Sequence, residues 1–265
     1  MAASQSPDNS APTSTLAGDT PRPVSDRLIV ALDFPSADAA LALARQLQGT
    51  CRWMKVGLEL YLSAGSRVID DLREQGFSVF LDLKLHDIPN TVAGAVRAAA
   101  RAGTSLLTVH AVGGPAMLRA AAEAAAEAKD PPHLLAVTVL TSMDAAELSA
   151  IGIAHTPAEQ VLRLAQMATA SGISGLVCSP QEVGLLRHEL GEGPLLVTPG
   201  IRPAGSAAND QKRMASPGAA MLAGASYLVV GRPITQADDP AQAARQFVDE
   251  IKDALAQKDR GLPLG

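Results

Sequence analysis

Five ionisable residues stand in or beside apolar runs: Asp33 in RLIVALDF, Lys55 in WMKVGLEL, Asp82 and Lys84 in SVFLDLKL, and Asp87 two residues further on. A lone buried charge is expensive, so such groups must neutralise one another. Lys55, Asp82, Lys84 and Asp87 alternate in sign, and Asp82 and Lys84, two apart in an extended run, share one face. One Asp–Lys pair would read as a structural ion pair. Five such groups near the ends of several runs read instead as an assembled site. Active sites of α/β barrels are assembled in this way, from polar residues at the ends of several strands.

A second set of residues is suited to an anion. One apolar run ends in Gly231-Arg232, and another ends in Pro199-Gly200 just before Arg202. Glycine lets the backbone approach an anion, and arginine supplies a bidentate fork. The polar stretch 202–213, RPAGSAANDQKR, is either a solvated connector or an anion-binding lid carrying Arg202, Gln211, Lys212 and Arg213. Thr141 and Ser142 could meet a polar substrate edge or simply start a turn. His110 is either a core side chain tied to a backbone carbonyl or a catalytic group. No G-x-G-x-x-G or G-x-x-x-x-G-K-[ST] element follows an apolar run, so dinucleotide and P-loop readings lack support.

These residues need a scaffold that gathers the ends of many runs. Eight apolar runs, 27–34, 53–60, 78–85, 105–112, 133–140, 175–179, 195–200 and 227–232, read as strands buried on both faces. Helical stretches are expected at 36–48, 64–75, 89–102, 115–128, 157–171, 180–190, 214–224 and 240–257, with Ser36 and Ser179 as N-caps and an extra short segment near 144–150. Eight strands alternating with eight helices predict an α/β fold, a single-domain (β/α)8 barrel, with a doubly wound open sheet as the competing topology. Active sites of such barrels lie where the strands end. The barrel is expected over 26–258, between a flexible tail at 1–25 and a short C-terminal tail at 259–265.

Composition narrows the function. The 265 residues are 47% hydrophobic and 18% charged, with a net charge of −5, one Trp, two Tyr and four Phe. That balance gives no general attraction to nucleic acid and few rings for base stacking. No run is long and apolar enough to span a membrane. Cys51 and Cys178 form no C-x-x-C pair, so neither a zinc site nor a disulfide framework is expected, and a reducing cytoplasm is.

The run DLKLHDIPNT, from Asp82 to Thr91, resembles the signature of the orotidine 5′-phosphate decarboxylase family. D-x-K-x-x-D alone is shared by a wider superfamily of decarboxylases and aldolases; the full string is far more specific. ALDF at 31–34, KVGLEL at 55–60, TVHA at 108–111, VLTSM at 139–143, TPGIRP at 198–203, the Gln211 region and VVGRPI at 229–234 extend the likeness over roughly residues 26–255. The resemblance implies a homodimeric (β/α)8 barrel that converts orotidine 5′-phosphate to UMP and CO2 with no cofactor and no metal. Asp33 and Lys55 would hold the ribose hydroxyls. Lys55, Asp82, Lys84 and Asp87 would form the charged network, with Asp87, Ile88 and Thr91 reaching the partner's site. Thr141, with Ser142 beside it, would face the pyrimidine, Gln211 would bridge base and phosphate, and Arg202, Gly231 and Arg232 would bind phosphate. Lys84 would protonate C6. A metal-dependent sugar-phosphate decarboxylase or synthase of the same superfamily is the nearest alternative; the IPNT continuation, Thr141 and Gln211 favour the pyrimidine nucleotide. A non-catalytic nucleotide-binding barrel would not need the Lys84 network.

Overall fold

The structure, a computed structural model, describes residues 23–203 and 213–260. Eight parallel strands close into a barrel in chain order: β1 (Leu28–Ala31), β2 (Trp53–Val56), β3 (Ser78–Leu85), β4 (Leu106–His110), β5 (His133–Val137), β6 (Gly175–Val177), β7 (Leu195–Thr198) and β8 (Tyr227–Val230). β8 pairs with β1 in register Ile29↔Val229, which excludes the open sheet. Each strand returns through helices on the outside: α1 (Ala37–Gln46), α2 (Leu58–Ala64), α3 (Arg67–Glu74), α4 (Pro89–Arg101), α5 (Gly114–Ala126), α6 (Ala145–Ala150), α7 (Pro157–Ala170), α8 (Val183–Leu190), α9 (Pro217–Leu222), α10 (Arg232–Thr235) and α11 (Pro240–Asp259). None of the described helices is long and apolar enough to cross a membrane. Most of the expected N-terminal tail lies outside the described residues; Val24–Arg27 forms a 3-10 turn ahead of β1.

Two apolar layers hold this arrangement. Between barrel and helices lies a continuous core built on outward-facing strand residues such as Leu28, Val30, Met54, Val79 and Leu81. Inside the barrel a smaller core contains Ile29, Ala31, Trp53, Phe80, Leu106, Leu135, Leu195, Val197, Tyr227 and Val229. Trp53 and Tyr227 meet edge to face, with ring centroids 5.5 Å apart, and floor the barrel near the N-terminal ends of the strands. β6 crosses this interior as Gly175, where a Cβ would stand 2.6 Å from Leu135 and 2.9 Å from Leu195.

The expected strands were mostly too long, and the differences have local causes. The run 53–60 leaves β2 at Val56 and turns into α2, because Leu58–Ala64 is made of good helix formers. The expected helix 64–75 breaks at Gly65, which caps α2 at φ +68, and α3 starts at Arg67. The run 227–232 likewise ends at Val230, and Arg232 opens α10. Ser36 caps α1, its Oγ accepting the Ala39 N–H. Ser179 does not cap α8. Its Oγ accepts the Gln181 N–H inside a turn, and α8 begins only at Val183. Ser216 caps α9 with Pro217 at its first position, three residues after the expected start. The segment near 144–150 is α6, closed by a capping box between Asp144 and Glu147.

Candidate active site

Strand alternation carries the inward rows of the barrel core straight into the charged set. Ile29 and Ala31 lead to Asp33, Trp53 leads to Lys55, Phe80 leads to Asp82 and Lys84, and Val229 leads to Gly231. These polar successors line a cavity of about 560 Å³ at the C-terminal mouth. Its rim continues with Thr141 and Ser142 after β5, Arg202 after β7 and Arg232 after β8. Such a volume suits a ligand of nucleotide size. A larger open cleft, about 1260 Å³, lies beyond the Trp53–Tyr227 floor at the other end; barrel chemistry is built at the C-terminal end, where the paired charges are.

The charges form one chain across β1, β2 and β3. Lys55 Nζ lies 2.9 Å from Asp33 Oδ1 and 3.7 Å from Asp82 Oδ2, and Lys84 Nζ lies 2.9 Å from Asp82 Oδ1. Burial alone would raise the Asp82 carboxyl. The charges of Lys55 and Lys84, with hydrogen bonds from Lys84 and Thr108, outweigh it and hold Asp82 below the ordinary carboxylate value. Lys55 is enclosed between two carboxylates. Lys84 has one carboxylate partner and a side chain one-third exposed to the cavity.

Lys84 is aimed by an irregular backbone. Its φ is +51, the left-handed region that L-residues other than Asn, Asp and Gly rarely occupy, and the β3–β4 register shifts between Leu81 and Leu85. Strain of this kind amounts to about 1–3 kcal/mol and persists only where neighbours over-determine it. Thr108 on β4 supplies that constraint. Its Oγ1 accepts the Lys84 backbone N–H at 2.8 Å and donates to Asp82 Oδ1 at 3.1 Å. Sequence reasoning gave Thr108 no role, because threonine is an ordinary strand residue. Thr108→Val keeps the shape and removes both bonds. It should lower stability by about 1–3 kcal/mol in urea unfolding and reduce kcat more than it changes KM.

Gly57 was also missed. A Cβ there would lie 2.9 Å from Lys55 Nζ and 3.0 Å from Asp33 Oδ1, so the bare backbone leaves room for that ion pair. Cys178 lines the cavity too, and burial followed by the charge of Glu182 pushes its thiol up to about 12.

Other expected residues fall elsewhere. Asp87 is outside the cavity of this chain and joins no ion pair among the described residues; its Oδ1 accepts the Ile88 N–H at 2.6 Å. Asp87, Ile88 and Thr91 are all exposed. His110 does not line the cavity, and its buried Nδ1 meets no hydrogen-bond partner, so the expected tie to a carbonyl is absent there. Its ring lies beside His86, at 5.7 Å, and burial, then the charges of His86 and Lys84, push its pKa down. Arg213, expected in an anion-binding lid, turns inward onto Glu182. Gln211 and Lys212 lie outside the described residues. No group of three or more His, Cys, Asp or Glu placed to hold a metal ion occurs among the described residues.

The orotidine 5′-phosphate decarboxylase / HUMPS family model matches residues 26–247. An orotidine 5′-phosphate decarboxylase of Halorhodospira halophila is 56% identical over 229 residues, covering 86% of this chain and 97% of that protein. One from Alcanivorax borkumensis is 52% identical over 233 residues, covering 88% and 99%. The crystal structure of orotidine 5′-phosphate decarboxylase from Lactobacillus acidophilus superposes with a TM-score of 0.76 at 41% identity, covering 85% of this chain and 99% of that one. With the family model spanning most of the chain, and DLKLHDIPNT running along the third strand and the turn into α4, this chain belongs to the orotidine 5′-phosphate decarboxylase / HUMPS family.

Proposed function

We propose that this chain decarboxylates orotidine 5′-phosphate to UMP and CO2, in pyrimidine nucleotide biosynthesis, using only its own fixed charges. The observation that carries the reading is the Asp33–Lys55–Asp82–Lys84 chain, which ends in an ammonium open to a nucleotide-sized cavity. The bond from C6 to the carboxylate breaks, CO2 leaves, and the electron pair stays on C6. Lys84 Nζ faces that charge and delivers a proton to C6, giving UMP. Asp82, ionised beside the leaving carboxylate, keeps Lys84 charged and directed. Asp33 and Lys55 hold the ribose hydroxyls, Thr141 and Ser142 meet the pyrimidine edge, and Arg202, Gly231 and Arg232 receive the phosphate, with Gln211 reaching base and phosphate.

The test is the direct loss of orotidine 5′-phosphate absorbance on mixing with purified protein, repeated in EDTA. Full activity with chelator is expected. Activity that required an added divalent metal would favour the metal-dependent relatives of the superfamily instead.

The same reading includes a homodimer with shared sites. Leu58 and Leu62 on α2, Ile88 before α4 and Val112 after β4 are large apolar residues left exposed beyond the ends of three successive strands. A second copy would cover them and deliver Asp87, with Ile88 and Thr91, to the neighbouring site. Lys84→Ala and Asp87→Ala variants, each inactive alone, should then recover about one quarter of wild-type activity when mixed and allowed to exchange, since half the dimers carry one intact site. No recovery would place Asp87 in its own protomer's chemistry. The two buried, unpaired cysteines suit a cytoplasmic setting.

A further inference from the structure

We propose that Arg213 is a positioning residue for base recognition. It holds in place the turn that carries Thr141 and Ser142, and it is anchored by Glu182. This rests on the decarboxylase reading for the identity of the base.

Arg213 is 7% exposed and Glu182 4%. The guanidinium pairs through NH1 with Glu182 Oε1. Its other arm, NH2, donates to the carbonyl oxygens of Val139, at 3.3 Å, and Leu140, at 2.9 Å. These carbonyls lie beyond the β5 ladder. The last β4–β5 partner is Val137, and the last backbone bond to β6 runs from Thr138 N–H to Val177. The chain then turns, with the Met143 N–H bonded back to the Leu140 carbonyl at 2.9 Å. Thr141 and Ser142 are the two central residues of that turn, and both line the cavity. Arg213 therefore grips the turn at its first carbonyl.

The grip is tied down on two further sides. Glu182 precedes α8, so the pair reaches the β6–α8 connection. Arg213 is two residues before Ala215, which bridges to Ile201; Arg202 N–H bonds to the Ala215 carbonyl, and Ala215 N–H to that of Gly200. Three loops of the C-terminal face thus converge on one guanidinium. Glu182 Oε2 and Arg213 Nε are buried without hydrogen-bond partners, so the guanidinium is held by Glu182 and the two turn carbonyls. A buried ion pair is a poor source of stability compared with apolar packing. A planar fork with fixed donor directions is, however, well suited to setting the position of backbone carbonyls.

The test compares a ligand with a base and one without. In competition or calorimetry, Arg213→Met should weaken UMP binding by about tenfold or more, while ribose 5-phosphate binding stays within about twofold. Arg213→Lys keeps a cation opposite Glu182 but lacks the second arm. It is the variant to use if thermal unfolding shows that Arg213→Met does not fold, and it should shift the same ratio in the same direction. Equal weakening of both ligands, or unchanged UMP binding in either folded variant, would overturn the positioning role. Wild-type protein that bound ribose 5-phosphate but not UMP would overturn the decarboxylase reading itself.

Discussion

Lys84→Ala should lower kcat for orotidine 5′-phosphate by at least about 10⁴-fold while UMP binding remains measurable. Two contributions disappear with one side chain. Removing a preorganised charge opposite a developing anion costs about 10²–10³-fold, and removing a positioned proton donor about 10²–10⁴-fold; their lower ends already multiply to the stated loss. No neighbour replaces it. Lys55 Nζ is held between Asp33 and Asp82. The variant keeps a Cβ at a left-handed backbone position and leaves Asp82 with a single counterion 3.7 Å away. Stability should therefore be followed beside activity, and Lys84→Met offers a closer shape. Near-normal turnover in either folded variant would remove Lys84 from the chemistry.

The charges that make this prediction were legible because they interrupt apolar runs. A strand buried on both faces has no other reason to contain Asp82 and Lys84, and β3 was read with its ends at Ser78 and Leu85. Periodicity put Asp82 and Lys84 on one face; the structure extends the same alternation to Asp33, Lys55 and Gly231, which follow the inward Ile29, Trp53 and Val229. Element ends were less legible. WMKVGLEL has no internal signal that separates a strand from a buried helix, so α2 was absorbed into β2. Arg213 was misassigned for a different reason. In sequence it belongs to a polar loop beside Lys212, and its partner Glu182 lies 31 residues away. Only closure of the barrel brings the two loops together, and only then does burial select the carboxylate over a ligand. Thr108 was invisible because its role depends on the irregular φ of a residue on the next strand.

Arg232→Ala should reduce kcat/KM for orotidine 5′-phosphate by about 10²–10³-fold and leave turnover of unphosphorylated orotidine close to wild type. Arg232 lines the cavity at the end of β8, away from the β2 and β3 positions of Lys55, Asp82 and Lys84. A guanidinium that forks onto a phosphate makes two charge-assisted hydrogen bonds, together about 3–4 kcal/mol at a partly dry site, which is the stated loss in rate. Arg202 compensates poorly, because it is buried and one of its nitrogens already donates to the Ile201 carbonyl at 2.8 Å. The phosphate never meets C6, so its binding energy can accelerate the reaction only by ordering the rim around the reacting carbon. Part of the loss should therefore fall on kcat and not on KM alone. If the effect were confined to KM, phosphate binding would be a simple anchor. If orotidine turnover fell by the same factor, Arg232 would be supporting the barrel rim and not reading the phosphate.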